Sequence, residues 1–241
     1  DGDIIPPGDS IPMTGLDIRE EPHFYYRGLR YFAHRSLSRF QAEHWGPAEW
    51  EREIDWILKK RLNLFMLRIG MDDVFQKAFP DIVPYPPADS TLPEAKPRSF
   101  YDRTTAWPLA YRGELRRHVL HYAAERGLIH PEDMGTMTHW YSCTPQAFLD
   151  SIRPTFCPQS GGAYVGDPCN AVWDIRDDRN LDNYWRLTQT HIDAYGSPQM
   201  FHTIGIAERE VFASRPENLE MKLYAYRRII NKLREHYPTA P

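Results

Sequence analysis

A chain of 241 residues, 41% of them hydrophobic, has the apolar content for one substantial core and a length that suits one large domain better than two small ones. A formal net charge of -4 and an isoelectric point near 6.2 argue against a nucleic-acid partner, because no run of basic side chains has the density such a partner requires. The longest apolar run, around Leu62 to Ile69, is far short of the roughly 20 residues that cross a bilayer, and no signal-peptide pattern opens the chain.

Asp1 to Pro22 carries Pro6, Pro7, Pro12 and Pro22 with Gly2, Gly8 and Gly15 and has no helix or strand period, so it reads as a linker from a preceding domain. The first residue is Asp rather than Met, which points to a processed or trimmed piece of something longer. From His23 the aromatic, β-rich run Phe24 to Phe32 predicts the first core strand, with His34 and Ser36 beyond its carboxyl end. Gly46 and Pro47 prepare a helix over Ala48 to Lys60, with Trp50, Ile54, Ile57 and Leu58 on one face. Leu62 to Ile69 reads as a strand buried on both faces, and Asp72 and Asp73 follow it.

Pro80 to Pro108 is a long proline-rich excursion in which Phe100, Tyr101 and Trp107 either wall a cleft or lie on an exposed insertion. A helix over Glu114 to Arg126 ends at Gly127. A third strand is expected near Met134 to Trp140, and a short helix runs from Thr144 and Pro145 through Ile152. Pro154 to Asp178 is a second long loop. Leu181 to Tyr195 is helical and capped by Gly196. The fourth strand lies in Phe201 to Glu210, FHTIGIAERE, and delivers Glu208 to a solvent-facing tip. A last helix, Glu217 to His236, has Leu219, Leu223, Tyr226, Ile230 and Leu233 at core spacing.

Strand followed by helix, four times over, is the pattern of a parallel α/β fold of the (β/α)-barrel type, four units being half of an eight-strand barrel. Ligands in such folds bind beyond the carboxyl ends of the strands, which marks Glu208 as a candidate catalytic acid. The other reading of Glu208 is a strand-end salt bridge to Arg209 or Arg215. His34, Asp72, His139, Trp140 and His202 are the candidate substrate-binding residues; Asp72 serves equally as a helix N-cap, and His34 as the partner of a buried carbonyl.

Cys143, Cys157 and Cys169 lack C-x-x-C spacing, and His118 and His121 lack the third ligand of a zinc helix, so neither a metal nor another cofactor is expected. One disulfide with a spare thiol and three reduced thiols both fit, a secreted or periplasmic setting being preferred to the cytosol. No G-x-G-x-x-G, G-x-S-x-G or phosphate loop occurs, which argues against dinucleotide binding, acyl transfer and phosphoryl transfer. The 7 Trp, 14 Tyr and 11 Phe suit a cleft that holds sugar rings, although most of them will fill the core.

Arg30 to Phe32, Trp45, the run Trp50-Glu51-Arg52-Glu53-Ile54-Asp55-Trp56 and Leu62-Asn63-Leu64 resemble the opening of the catalytic barrel of the α-N-acetylglucosaminidases, family 89 of the glycoside hydrolases. The dense part of the match covers about the first quarter of the chain. The resemblance implies a retaining glycosidase in which Glu208, ending a strand similar to the family's Asp-x-Phe-Asn-Glu, is the general acid/base. The chain departs from that pattern at Ile206-Ala207, which replace Phe-Asn, and at Gly70-Met71-Asp72, which replace Gly-Gln-Glu. It departs again at His34 and Ser36, where the family has Asn and Cys. The resemblance places the nucleophile on a later strand, beyond Pro241, so residues 1–241 alone are expected to hydrolyse little. A carbohydrate substrate is implied, with further domains or a partner completing the barrel. The competing expectation is a non-catalytic carbohydrate-binding or structural module, or a glycosidase for another sugar.

Overall fold

The computed structural model describes residues 14–15, 17–32, 45–68, 73–87, 108–133, 144–157, 173–196, 199–202 and 214–240, with the backbone alone at Arg30, Phe32, Arg68, Glu132, Asp133 and His202. Strand β1 (Gly28–Phe32) pairs in parallel with β2 (Leu64–Arg68), Gly28 opposite Leu64 and Phe32 opposite Arg68. A Cβ on Gly28 would lie 2.3 Å from the Leu64 carbonyl oxygen, so the close approach at the start of the ladder needs glycine. Helix α1 (Pro47–Lys59) connects the two strands. It starts on Pro47, whose missing N–H costs nothing there, and Glu49 Oε2 accepts the Gly46 N–H at 3.0 Å. Trp50, Ile54 and Ile57 are buried as their spacing predicts, and Leu58 is partly buried against them.

The aromatic run ahead of β1 does not join the strand. Asn63 Nδ2 donates to the Tyr25 carbonyl at 2.8 Å, and Arg27 Nη1 donates to the Phe24 and Tyr25 carbonyls at 2.5 and 3.1 Å. Side chains thus occupy backbone acceptors that a ladder would have used, and Phe24 and Tyr25 remain exposed. Further on, β3 (Glu132–Asp133) and β4 (Phe201–His202) form a second parallel pair only two residues long. A parallel bridge between Leu64 and Ile129 ties β2 to the chain entering β3, with Phe65 N donating to Ile129 O at 2.9 Å.

The helices that follow are α2 (Val74–Ala78), α3 (Leu109–Glu125), α4 (Gln146–Ile152), α5 (Asp178–Tyr195) and α6 (Arg215–His236). Helix α3 begins five residues before the expected Glu114, while Gly127 follows it at φ 78°, the left-handed stop that glycine accepts. Capping sets two other starts: Asp177 accepts the Arg179 N–H at 3.0 Å ahead of α5, and Ser214 Oγ accepts the Glu217 N–H at 3.3 Å ahead of α6.

The expected four-unit (β/α)-barrel is overturned: the described residues are mostly helical, with short parallel strand pairs and no barrel. A barrel needs a ladder that closes on itself, whereas these ladders are five and two residues long. The core explains the outcome. Among the described residues, one cluster, around Tyr31, Trp50, Phe65, Leu67 and Val119, contains buried strand side chains. A second packs α5 on α6 through Leu181, Tyr184, Met221, Ala225, Ile229 and Leu233. The third gathers Val74, Phe75, Phe148, Trp173 and Leu187, where Phe148 and Trp173 stack with ring centroids 5.1 Å apart. Among the described residues, the other two clusters are therefore built mainly by helices, with Phe79, Val83 and Trp173 added from the segments between them.

Cys157 is buried and free, its thiol pushed up to about 12, chiefly by burial; Cys143 and Cys169 lie outside the described residues. Next to it, the loop into α5 is pinned by charge. The Asp177 carboxyl is drawn down to about 2, first by the Arg179 guanidinium and also by the Thr155 hydroxyl, which donates at 2.9 Å. Arg176 likewise holds Asp174 below the usual carboxylate range. Both are lowered in the folded state, so their contribution is complete above the ordinary carboxylate range and disappears as pH falls through the folded value. Thermal melts should therefore lose stability between about pH 4 and pH 2, and Asp177→Asn should flatten that slope. An unchanged slope in the variant would place the acid sensitivity elsewhere.

Candidate functional site

The described polar side chains converge beyond the carboxyl end of β2. Asp73 is the N-cap residue of α2 yet makes no capping hydrogen bond, because its carboxylate turns inward and is only 1% exposed. It accepts from the Tyr195 hydroxyl on α5, from Lys77 Nζ one helical turn along α2, and from the Tyr85 hydroxyl at 2.6 Å. The space for this carboxylate comes from Gly113 on α3, where a Cβ would meet Asp73 Oδ1 at 2.4 Å. Desolvation and the hydrogen bond to Asp73 both push the Tyr85 phenol well above its ordinary value.

A second layer joins α3 and α5 to β2. Buried Arg116 donates from Nη2 to the Leu67 carbonyl at 3.0 Å and from Nε to His191 Nε2 at 3.2 Å. Arginine can only donate, so His191 Nε2 is an acceptor here and the ring proton sits on Nδ1. Buried His130 brings Nε2 within 3.5 Å of the same Leu67 carbonyl. Two cations approach the Tyr195 ring, Lys77 Nζ 5.3 Å and Arg116 Cζ 5.8 Å from its centroid.

This arrangement is an anchor rather than a reaction centre. Three donors from α2, α5 and the Tyr85 loop converge on the Asp73 carboxylate, which is 1% exposed and so held away from solvent. What it does is fix the chain where it leaves β2 for α2, using α3, α5 and the loop that carries Tyr85.

Glu208, His34, Asp72, His139 and Trp140 lie outside the described residues, and His202 is described by its β4 backbone alone. The alternative of Asp72 as the cap of α2 is corrected, since Asp73 holds that position. His118 Nε2 contacts Glu51 at 2.8 Å across α1 and α3, and His121 Nδ1 contacts Glu125 at 3.4 Å. Among the described residues, no three His, Cys, Asp or Glu side chains group as metal ligands, and no helix is long and apolar enough to cross a membrane.

Sequence reasoning noted Asp73 only as following the second strand and did not single out Lys77, Tyr85, Tyr195, Arg116 or His191. The four-residue spacing of Asp73 and Lys77 was a readable signal for a helical ion pair. Nothing local pointed to Tyr195, which lies 122 residues from Asp73. No family profile, curated protein or solved structure matches this chain.

Proposed function

We propose that the chain is part of a glycoside hydrolase resembling the α-N-acetylglucosaminidases, with Glu208 as general acid/base. The observation that carries this reading is the parallel direction of the strands. The chain leaves β1 and β2 in one direction, and the bridge from Leu64 to Ile129 extends that direction to β3 and β4. In sequence, His34 follows β1, Asp72 follows β2, His139 and Trp140 follow β3, and Glu208 follows β4. Every residue singled out for sugar chemistry therefore follows the carboxyl end of a strand, except His202, which lies within β4. The run Trp50 to Trp56 that carries the family resemblance forms α1 between the two paired strands.

Glycoside cleavage needs one protonated carboxyl to give its proton to the leaving oxygen and one carboxylate to take up the developing positive charge at carbon. Glu208 takes the first role in this reading, and a carboxylate outside residues 1–241 takes the second. The aryl α-N-acetylglucosaminide series provides the test on the natural full-length polypeptide. Glu208→Gln should lower kcat for a substrate with a poor leaving group by about 100-fold to 10,000-fold. The loss should be smaller for a nitrophenyl leaving group, which departs with less protonation. Equal turnover by wild type and variant on both substrates removes Glu208 from the chemistry, and no turnover of any α-glycoside by the wild type favours a non-catalytic module.

A further inference from the structure

Helices α1 and α3 end in the same motif with different residues at its left-handed position. After α3, Gly127 at φ 78° donates its N–H to the Ala124 carbonyl at 2.9 Å, and Leu128 donates to Ala123 at 3.0 Å. After α1, Arg61 at φ 58° donates to Leu58 at 2.8 Å, and Leu62 donates to Ile57 at 3.2 Å, the same pair of bonds. The backbone alone would favour glycine at both positions. What an arginine contributes at position 61 is therefore to be read from its contacts.

Those contacts all reach the chain that enters β1. Arg61 Nη1 pairs with the Glu20 carboxylate, both side chains being well exposed, and the Arg61 carbonyl accepts Arg27 Nε at 3.0 Å. Two residues on, Asn63 Oδ1 accepts the Arg27 N–H and Asn63 Nδ2 donates to the Tyr25 carbonyl, both at 2.8 Å. The Asn63 and Leu64 N–H groups share the Arg27 carbonyl at 2.8 and 3.0 Å. We propose that the turn from Arg61 to Asn63 is a clasp with two catches of unlike chemistry, which turns the end of the linker, Glu20 to Arg27, into a fastened arm that ionic strength opens from its outer end. The outer catch is the exposed Glu20–Arg61 ion pair, which salt screens. The inner catch is the Asn63 carboxamide with its partners on Arg27 and Tyr25, whose hydrogen bonds do not depend on opposite charges. The two therefore release in order: salt frees the chain around Glu20 while Arg27 stays fastened ahead of the β1–β2 ladder.

Limited trypsin digestion of the intact chain reads both catches, because the Arg19–Glu20 bond lies at the outer one and the Arg27–Gly28 bond at the inner one. Mass spectrometry separates the products, and their ratio within one digest cancels the effect of salt on the protease. In the wild type, cleavage after Arg19 should gain about threefold on cleavage after Arg27 as NaCl rises from about 0.05 M to about 1 M. Arg61→Gly suits φ 58° and should show the faster outer cleavage already at low salt, with no further salt dependence. Asn63→Asp keeps the acceptor for the Arg27 N–H, loses the donor to the Tyr25 carbonyl, and should speed cleavage after Arg27 about tenfold. Where circular dichroism shows that Asn63→Asp does not fold, Arg27→Lys tests the same catch by removing the guanidinium bonds to Arg61, Phe24 and Tyr25. A salt-independent ratio in the wild type, or an Arg61→Gly digest identical to it, overturns the outer catch. Unchanged cleavage after Arg27 in a folded inner variant overturns the inner one.

Discussion

Asp73→Ala should destabilise the protein by about 3 kcal/mol, a large share of the 5 to 15 kcal/mol that holds a domain folded. The substitution removes an anion that satisfies three donors at once, and the donors differ in what they can do afterwards. Lys77, 28% exposed at its side chain, can turn toward water, and Tyr85, 43% exposed, can do the same. Tyr195 cannot, because it is 7% exposed and its hydroxyl points into the gap left by the carboxylate. An orphaned buried donor costs about 1 to 3 kcal/mol, and the lost charge-assisted bonds add a comparable amount. Asp73→Asn keeps one acceptor oxygen and should fall between wild type and Ala. Urea denaturation measures all three, with the exposed Asp81→Ala as a control expected within about 0.5 kcal/mol of wild type. If Asp73→Ala matches that control, the cluster contributes nothing net to stability.

The contrast between Trp50 and Tyr195 shows which parts of the fold were legible in the sequence. Helix α1 could be read almost to the residue, because Gly46, Pro47 and the spacing of Trp50, Ile54 and Ile57 are local signals that the helix itself satisfies. The start of α3 was missed because Leu109 to Gly113 has no capping residue ahead of it: Pro108 is the N-cap and makes no side-chain cap bond. The extent of the first strand misled for a related reason. An aromatic run such as Phe24 to Tyr26 has the composition of a strand, but Arg27 and Asn63 bind its carbonyls. Which stripe of α6 goes inward was invisible as well: Leu219, Leu223 and Ile230 are exposed and Met221, Ala225 and Ile229 are buried, since both stripes have helical period and only the partners on α5 decide between them. The Asp73 cluster is the extreme case. Its members lie on β2's exit, the loop to Tyr85, α3 and α5, and only the packed chain brings them together. The residues singled out for chemistry follow strands whose parallel pairing is described, while their own side chains lie outside the described residues.

Gly113→Ala should cost about 2 kcal/mol although alanine is the better helix former by about 1 kcal/mol. The added methyl carbon would sit 2.4 to 2.5 Å from Oδ1, Cγ and Oδ2 of Asp73, and those atoms are not a loose chain end that swings aside. They are held from three directions by Tyr195, Lys77 and Tyr85. The clash and the cluster are therefore one feature, and this makes the sign of the effect depend on background. In Asp73→Ala all three obstructing atoms are gone, so Gly113→Ala places its methyl in vacated space and recovers the helix propensity, a gain of about 1 kcal/mol. The double-mutant cycle should then show a coupling of about 3 kcal/mol, near the upper end for residues in contact. Additive single effects would mean that the α3 backbone absorbs the methyl by shifting, and that Gly113 is not what admits the buried carboxylate. A large coupling would establish that a glycine on α3 and the aspartate that opens α2 are one structural unit.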